Sequence, residues 1–368
     1  MVRHLEREAI SFNGHPPFDE VVNAFKDQSI RSPGNDKSIA SFNTALLELL
    51  GSDSEAAAFL ADHYHARAIS PTHFVNLTFR AVQFIQLYVE QGEDHLAYRY
   101  FDASDHWTGR LKRVFGDHKE TLSDILRNKD TVTTIYQRYA GPRAIIGRLF
   151  SENGGLRIAD LGCGANHGLR GIDLEEPFDP IMDETDSKSF SQSLSLPISI
   201  EDALAVDSEN FENPDANAWY VACSFYPKEL DKVKNVRELE SRLRRSRRVR
   251  FMQSDLLEAG LPEPFHGYFD AVILSTVLYQ HTQINQQRIK EEAARIAKKG
   301  GVVVMQDFAE KDSSFDSGIR FTEAWFNGFR YRTFLMRPED PGEVLEVLKW
   351  SDGRCTHVRP GEDYSKVF

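Results

Sequence analysis

The stretch from Leu156 to Gly168 constrains this chain more than any other. Leu156, Ile158, Ala159 and Leu161 make a short apolar run that closes on Asp160, and Gly162 and Gly164 follow at a spacing of one residue. A parallel strand buried on both faces needs such a run. The turn that follows needs glycines, because a Cβ would hold the backbone away from a bound ligand. A dinucleotide loop of the form Gly-x-Gly-x-x-Gly would place its third glycine at position 167, where the chain has His167. A Gly-x-Gly pair recurs in ordinary turns, so the later chain has to supply the rest of a site.

Downstream, apolar runs alternate with helical patterns. The second strand is expected at Ala218 to Phe225, followed by a charged helix from about Pro227 to Arg245. The third is expected at Val249 to Ser254, leading into Asp255 and Leu256, and the fourth at Ala271 to Ser275, entered through Phe269-Asp270. The fifth is expected at Val302 to Phe308, after a helix at Glu291 to Lys299 and the turn Gly300-Gly301. Strands and helices alternating in this way build a parallel sheet covered on both faces. Beyond it we expect a helix near Thr322 to Phe326, a strand at Tyr331 to Met336, a helix near Pro341 to Trp350 and a strand near Arg354 to Val358. Residues 169 to 216 read as an acidic, serine-rich insertion, with one helix at about Ile200 to Val206. A connection of that length is a lid or a solvated loop.

The first part of the chain reads as all-helical. Phe42, Leu46, Leu47 and Leu50 share one face of a helix that stops at Gly51, and a further helix starts near Ser54. A longer one covers about Pro71 to Gln91, with Phe74, Leu77, Ala81, Phe84, Ile85 and Tyr88 on its buried stripe. Leu111, Val114 and Phe115, then Leu122, Ile125 and Leu126, mark a helix pair joined at Gly116-Asp117. A helix from about Val132 to Phe150 is bent by Gly141-Pro142. With 368 residues there is room for two domains, placed at 1–135 (helical) and 136–368 (sheet).

In order, Asp160 to Gly164, Ser254-Asp255-Leu256, Phe269 to Leu274 and Gly300 to Val304 resemble the motifs of the Rossmann-like S-adenosylmethionine (SAM)-dependent methyltransferase superfamily. More narrowly, the helical first half, Ser224-Phe-Tyr-Pro227 before an arginine-rich helix, and Tyr279-Gln280 after the fourth strand resemble a mainly bacterial family of unknown function with a methyltransferase-like second half. That family carries a His where Ser275 stands and an Asn-Glu pair near Tyr136-Gln137. The resemblance implies an α/β, doubly wound, mostly parallel seven-stranded sheet with one reversed strand, and SAM as cofactor. It implies that Gly162, Cys163 and Gly164 admit the donor and that Asp160 fixes the loop or binds its amino group. Asp255 and Leu256 would receive adenine, with Ser275 beside the donor. It puts a ribose-binding carboxylate at the end of the second strand, where this reading finds Ser224. Tyr279 and His281 are the candidates for acceptor contact or general base, with packing at a helix start as the alternative for both. Tyr136, Arg138 and Tyr139, just before the sheet, read first as helix-packing residues, with reach over the cofactor as the alternative.

Composition limits the rest. Three widely spaced cysteines, Cys163, Cys223 and Cys355, form neither a disulfide framework nor a metal knuckle. His63 and His65, two apart on a helix, face different ways and make a poor chelate. No metal site is expected, and the acidic residues of 169–216 read as solvated. The net charge of −12 disfavours nucleic acid as partner. The exception is Arg242 to Arg250, read first as the basic end of a helix. No apolar run approaches the roughly 18 residues of a membrane span, and the start lacks a signal-peptide core, so a cytoplasmic location without membrane association is expected. The expected activity is methyl transfer to a small-molecule acceptor. The alternatives are a non-catalytic SAM- or nucleoside-binding module, suggested by Ser224, and a nucleic-acid-modifying enzyme. Oligomeric state is open.

Overall fold

The structure is a computed structural model and describes residues 17–31, 37–67, 69–90, 104–224, 232–258, 260–311, 319–321 and 330–368. The chain forms two compact units: Met1–Val132 with Val221–Val236, and Thr133–Tyr220 with Arg237–Phe368.

The first unit is helical among its described residues: α1 (Phe18–Ile30), α2 (Lys37–Ser52), α3 (Ser54–His65), α4 (Pro71–Phe84), α5 (Ser104–Asp117) and α6 (Lys119–Asn128). The starts follow side-chain chemistry. Asp53 accepts hydrogen bonds from the Glu55 and Ala56 amides at the head of α3, and Ser70 caps α4 with Pro71 in its first turn. Phe42 on α2 meets Phe79 and Trp107 edge-on at 5.0 and 5.2 Å. Leu49 rather than Leu50 completes the buried face of α2. His63 is a satisfied core histidine, with Nδ1 on the Phe59 carbonyl at 2.7 Å and Nε2 on Ser123 Oγ at 2.8 Å.

The second unit opens with a 3-10 turn, Tyr136–Tyr139, and α7 (Ala140–Phe150). The expected helix thus starts at Tyr136 rather than Val132. Then come β1 (Leu156–Leu161), α8 (His167–Asp173), β2 (Met182–Asp183), α9 (Ser189–Leu194), β3 (Ile200–Asp207), α10 (Pro214–Cys223), α11 (Lys232–Leu243), β4 (Val249–Gln253) and β5 (Phe269–Ser275). The unit ends with α12 (Gln283–Ile296), β6 (Ala297–Lys311), β7 (Ile319–Phe321), β8 (Tyr331–Arg337), β9 (Asp340–Trp350) and β10 (His357–Pro360). The last part of α10 and the first part of α11 belong to the first unit.

The sheet runs β2-β10-β9-β8-β6-β5-β1-β3-β4, with β7 paired to β6, which makes ten strands rather than seven. β4, β3, β1, β5 and β6 are parallel, and β8 enters reversed against β6. From β1 the chain moves outward to β3 and β4 and then returns to the other side as β5. The carboxyl end of β1 is therefore the topological switch point at which α/β sheets bind ligands. Alternate residues of each strand serve two cores. Ile158, Ala205, Ile273 and Val304 face the layer of α7, whereas Ala159, Leu161, Val206, Leu274 and Met305 face that of α12.

Three assignments are corrected. The second sheet strand is Ile200–Asp207, expected as a helix, and the run expected as that strand, Ala218 to Phe225, lies largely in α10. Ala203, Leu204 and Ala205 favour helix intrinsically, while Trp219, Tyr220 and Val221 favour strand. Burial overrides both preferences, since each of these residues is at most 3% exposed. The expected helix at Pro341 to Trp350 is β9. Its partner Thr333 pairs with Leu348 and Phe334 with Glu346, so a bulge at Val347 breaks the two-residue alternation and leaves an apolar spacing that mimics a helix. The expected helix at Thr322 to Phe326 lies outside the described residues.

Candidate functional site

The turn after β1 is built from backbone conformations that side chains resist. Gly162 and Gly164 have φ of 74° and 53°, and Asn166 follows at 55°. A Cβ on Gly162 would come within 2.5 Å of the Val277 side chain, so the loop packs directly on the turn after β5. The Gly162 and Cys163 amides donate to the Val206 carbonyl at 2.8 and 3.1 Å. The Gly164 amide donates to Asp207 Oδ2 at 2.7 Å.

Asp207 is the residue that sequence reasoning missed. It ends β3, the strand beside β1, and so stands where the ribose carboxylate was expected. Its backbone carbonyl accepts the Ser254 amide at 2.9 Å, which ties the glycine loop to the turn carrying Asp255 and Leu256. Burial raises its pKa, and the amides of Glu209 and Gly164 oppose that. Ser224 follows α10 and ends no strand of the sheet. The signal was in the sequence, since Ala203-Leu-Ala-Val206-Asp207 repeats the apolar-run-then-aspartate form of β1.

Asp160 is fully buried and accepts the Tyr139 hydroxyl at 2.9 Å on Oδ2, while Oδ1 has no partner. Burial pushes its pKa up to about 7, against the Tyr139 hydrogen bond, with Asp207 adding to the rise. Tyr139 reaches it across α8, where Gly168 leaves no room for a Cβ beside the tyrosine ring. Cys163 is buried and its thiol pKa is raised well above the ordinary value, chiefly by burial, so it is no thiolate nucleophile. Cys223 and Cys355 are also buried and form no disulfide.

The other side of the switch point is the turn after β5. Ser275 ends the strand in register with Gln306. Thr276 holds φ of 63°, a conformation that β-branched residues avoid. Its hydroxyl meets Tyr331 Oη at 2.9 Å and Arg138 Nη1 at 3.3 Å, and Gln280 Nε2 donates to its carbonyl at 2.8 Å. Beneath it, buried Asp307 accepts the amides of Leu278 at 2.7 Å and Phe308 at 2.8 Å, fixing the 3-10 turn Leu278–Gln280. Tyr279, half-buried on that turn, packs edge-on against Phe308 at 5.2 Å. His281 follows, its amide on the Leu278 carbonyl. Asp255 Oδ1 accepts the Leu257 amide at 2.9 Å, and Leu256 packs on the core under β4.

The site thus brings Asp160, Gly162, Cys163, Gly164 and Asp207 onto one hydrogen-bonded loop system, with Ser254-Asp255 attached through Asp207. Val277 links that system to the turn bearing Ser275, Tyr279 and His281. The arginine run does not join it. Arg242 pairs with Glu176, Arg244 with Glu240, Arg248 with Asp173 and Arg250 with Asp202. Among the described residues no group of His, Cys, Asp and Glu is arranged to hold a metal, and no helix is long and apolar enough to cross a membrane.

No protein-family profile matches the chain, and no curated protein is similar to it. Among solved structures it is similar to PKMT2 of Rickettsia typhi at 18% identity, over 48% of this chain and 26% of that one, with a TM-score of 0.28. It is similar to the N-methyltransferase NodS of Bradyrhizobium japonicum at 14% identity, over 49% and 64%, TM-score 0.26. A third is phosphoethanolamine N-methyltransferase 2 of Haemonchus contortus, at 16% identity over 48% and 30%, TM-score 0.26. The chain spans less than two thirds of each. The doubly wound, largely parallel α/β sheet is shown by its own strand order, switch point and glycine loop.

Proposed function

We propose that the chain is a SAM-dependent methyltransferase acting on a small-molecule acceptor. The observation that carries this reading is Asp207, a carboxylate at the end of the strand beside β1 and hydrogen-bonded to Gly164. It supplies the ribose partner whose absence at Ser224 had favoured a non-catalytic module. The residues fit the donor in two further respects. The buried, unpartnered Oδ1 of Asp160 suits an ammonium group, and Gly162 and Gly164 hold conformations that bring bare backbone to the switch point.

When bound, SAM supplies an electrophilic methyl group on a sulfonium. The protein has to hold donor and acceptor in line and exclude water. In this reading Asp207 takes the ribose hydroxyls, a carboxylate being able to accept two hydrogen bonds at once. Asp255 and Leu256 take adenine, and Asp160 takes the amino group. Ser275 flanks the donor, and Asp307 holds the Leu278–Gln280 turn so that Tyr279 and His281 face the acceptor. One of these removes a proton only where the acceptor carries one. The intrachain pairing of the arginines and the net charge of −12 support a small acceptor over nucleic acid.

Calorimetry with SAM and S-adenosylhomocysteine tests the cofactor. Asp207→Ala should weaken binding roughly 10- to 100-fold, the worth of hydrogen bonds to a charged group, whereas Ser224→Ala should leave it within about twofold. Equal effects, or no binding by the unaltered protein at millimolar ligand, sink the reading. Labelled SAM with fractionated cell extract then tests the acceptor, and label in RNA rather than in a small product would overturn that part.

A further inference from the structure

A cavity lies in the sheet unit, apart from the strand ends. Its volume is about 450 Å³, and its wall combines α7, the segment after α8, and α9. That size is within the usual range of small-ligand pockets. Ile172, Phe178, Phe190 and Leu194 give it an apolar lining, with Phe178 stacked on Tyr136 at 4.4 Å.

Arg143 of α7 lines this cavity and is only 7% exposed. Its Nη2 donates to the Leu196 carbonyl, its Nη1 is buried without a partner, and among the described residues no carboxylate pairs with it. A guanidinium keeps its charge in proteins. A buried charge without a counter-ion is strongly unfavourable, and one partner of opposite sign relieves it. The rim has the opposite sign. Glu175 and Asp179 are exposed there, Glu175 in the left-handed region at φ 51°, while the third acid, Glu176, is held by Arg242. Burial draws the Arg143 pKa down, and Tyr136 and then Glu175 oppose this through space.

A simple carboxylate would satisfy Arg143 but meet the acidic rim. An amine would suit the rim and leave Arg143 alone. We propose that the cavity binds a zwitterionic amino acid with a large apolar side chain, its carboxylate on Arg143, its ammonium toward Glu175 and Asp179, and its side chain among Phe178, Phe190 and Leu194. The site is independent of the methyl-transfer reading, because none of these residues belongs to the loop system around Asp160 and Asp207.

The test is calorimetry of the full chain with L-phenylalanine, L-leucine, 3-phenylpropanoate and phenethylamine. Saturable binding of at least one amino acid is expected, with each deletion analogue at least about tenfold weaker, as the loss of one charged contact implies. Arg143→Met should cost a similar factor. Leu194→Trp, which fills the cavity, should abolish binding while leaving the unfolding transition cooperative, and it keeps the proposal testable if Arg143→Met does not fold. Absence of heat with both amino acids at about 10 mM, weaker than any useful affinity, overturns the proposal. So does phenethylamine binding as tightly as phenylalanine, or unchanged binding in Leu194→Trp.

Discussion

Asp160 and Asp307 are both fully buried carboxyls near the switch point, but their surroundings differ. Asp307 accepts backbone amides from Leu278, Tyr279 and Phe308, and so acts as a fixed joint for its turn. Asp160 has one donor, Tyr139, and one oxygen with none. Its pKa of about 7 against 3.8 in an unfolded chain means that between these values the folded protein holds a proton that the unfolded chain has released. This contribution to stability is complete below about pH 4 and is lost as pH rises through 7, at up to about 1.4 kcal/mol per pH unit. Asp160→Asn keeps the neutral shape and has no proton to lose. Urea unfolding at pH 5 and pH 8 should therefore show a smaller loss of stability in the variant than in the unaltered protein, and equal losses would refute the assignment. An ammonium on Oδ1 would in turn favour the ionised form. SAM binding near pH 6.5 should then release protons, seen as a dependence of binding heat on buffer ionisation enthalpy, and Asp160→Asn should remove that dependence.

At the scale of elements, α8 meets the turn before α7 through two glycines. A Cβ on Gly168 would lie 2.0 Å from the Tyr139 ring and one on Gly171 2.2 Å from the Tyr136 ring, so both tyrosines seat directly on the helix backbone. Gly171→Ala should destabilise the protein by about 1–3 kcal/mol, the usual cost of overpacking a dense core. Tyr136→Phe, losing only the 2.7 Å bond to the Glu176 carbonyl, should cost about 1 kcal/mol; urea midpoints of the two variants measure the difference. These contacts were not legible in the sequence, because nothing in His167-Gly-Leu-Arg-Gly171 names its partners. The strands β1, β4, β5 and β6 were legible, since each is a run of apolar residues ended by a polar group or a turn. β3 carried the closing aspartate of such a run, but its alanines and leucine mimic a helix, and that single misreading moved the expected ribose carboxylate from Asp207 to Ser224. The strain at Thr276 was equally silent, being set by Tyr331, Arg138 and Gln280 from elsewhere in the chain.

At the scale of the molecule, the helical unit is not a contiguous piece of chain. Residues Val221–Val236 leave the sheet unit and join Met1–Val132. Gln83 Nε2 and Arg80 Nη1 of α4 donate to the Ala222 carbonyl at 2.6 and 3.3 Å, and Val221, Ala222 and Cys223 are at most 3% exposed. A cut after Val132 therefore leaves the first piece without a segment of its own core, and leaves the second carrying that segment with its apolar side uncovered. Burying these side chains again is worth about 25 cal/mol per Å² of apolar surface, and the segment restores the Ala222 carbonyl to which Gln83 and Arg80 donate. The two pieces, 1–132 and 133–368, should accordingly associate when produced together and elute as one species in size exclusion. Ala222→Glu, which sets a carboxylate where the residue is fully buried, should separate them, since an unpaired buried charge costs several kcal/mol. Independent elution of the unaltered pieces would mean that the helical unit closes without the returning segment, and that the chain divides at Val132 after all.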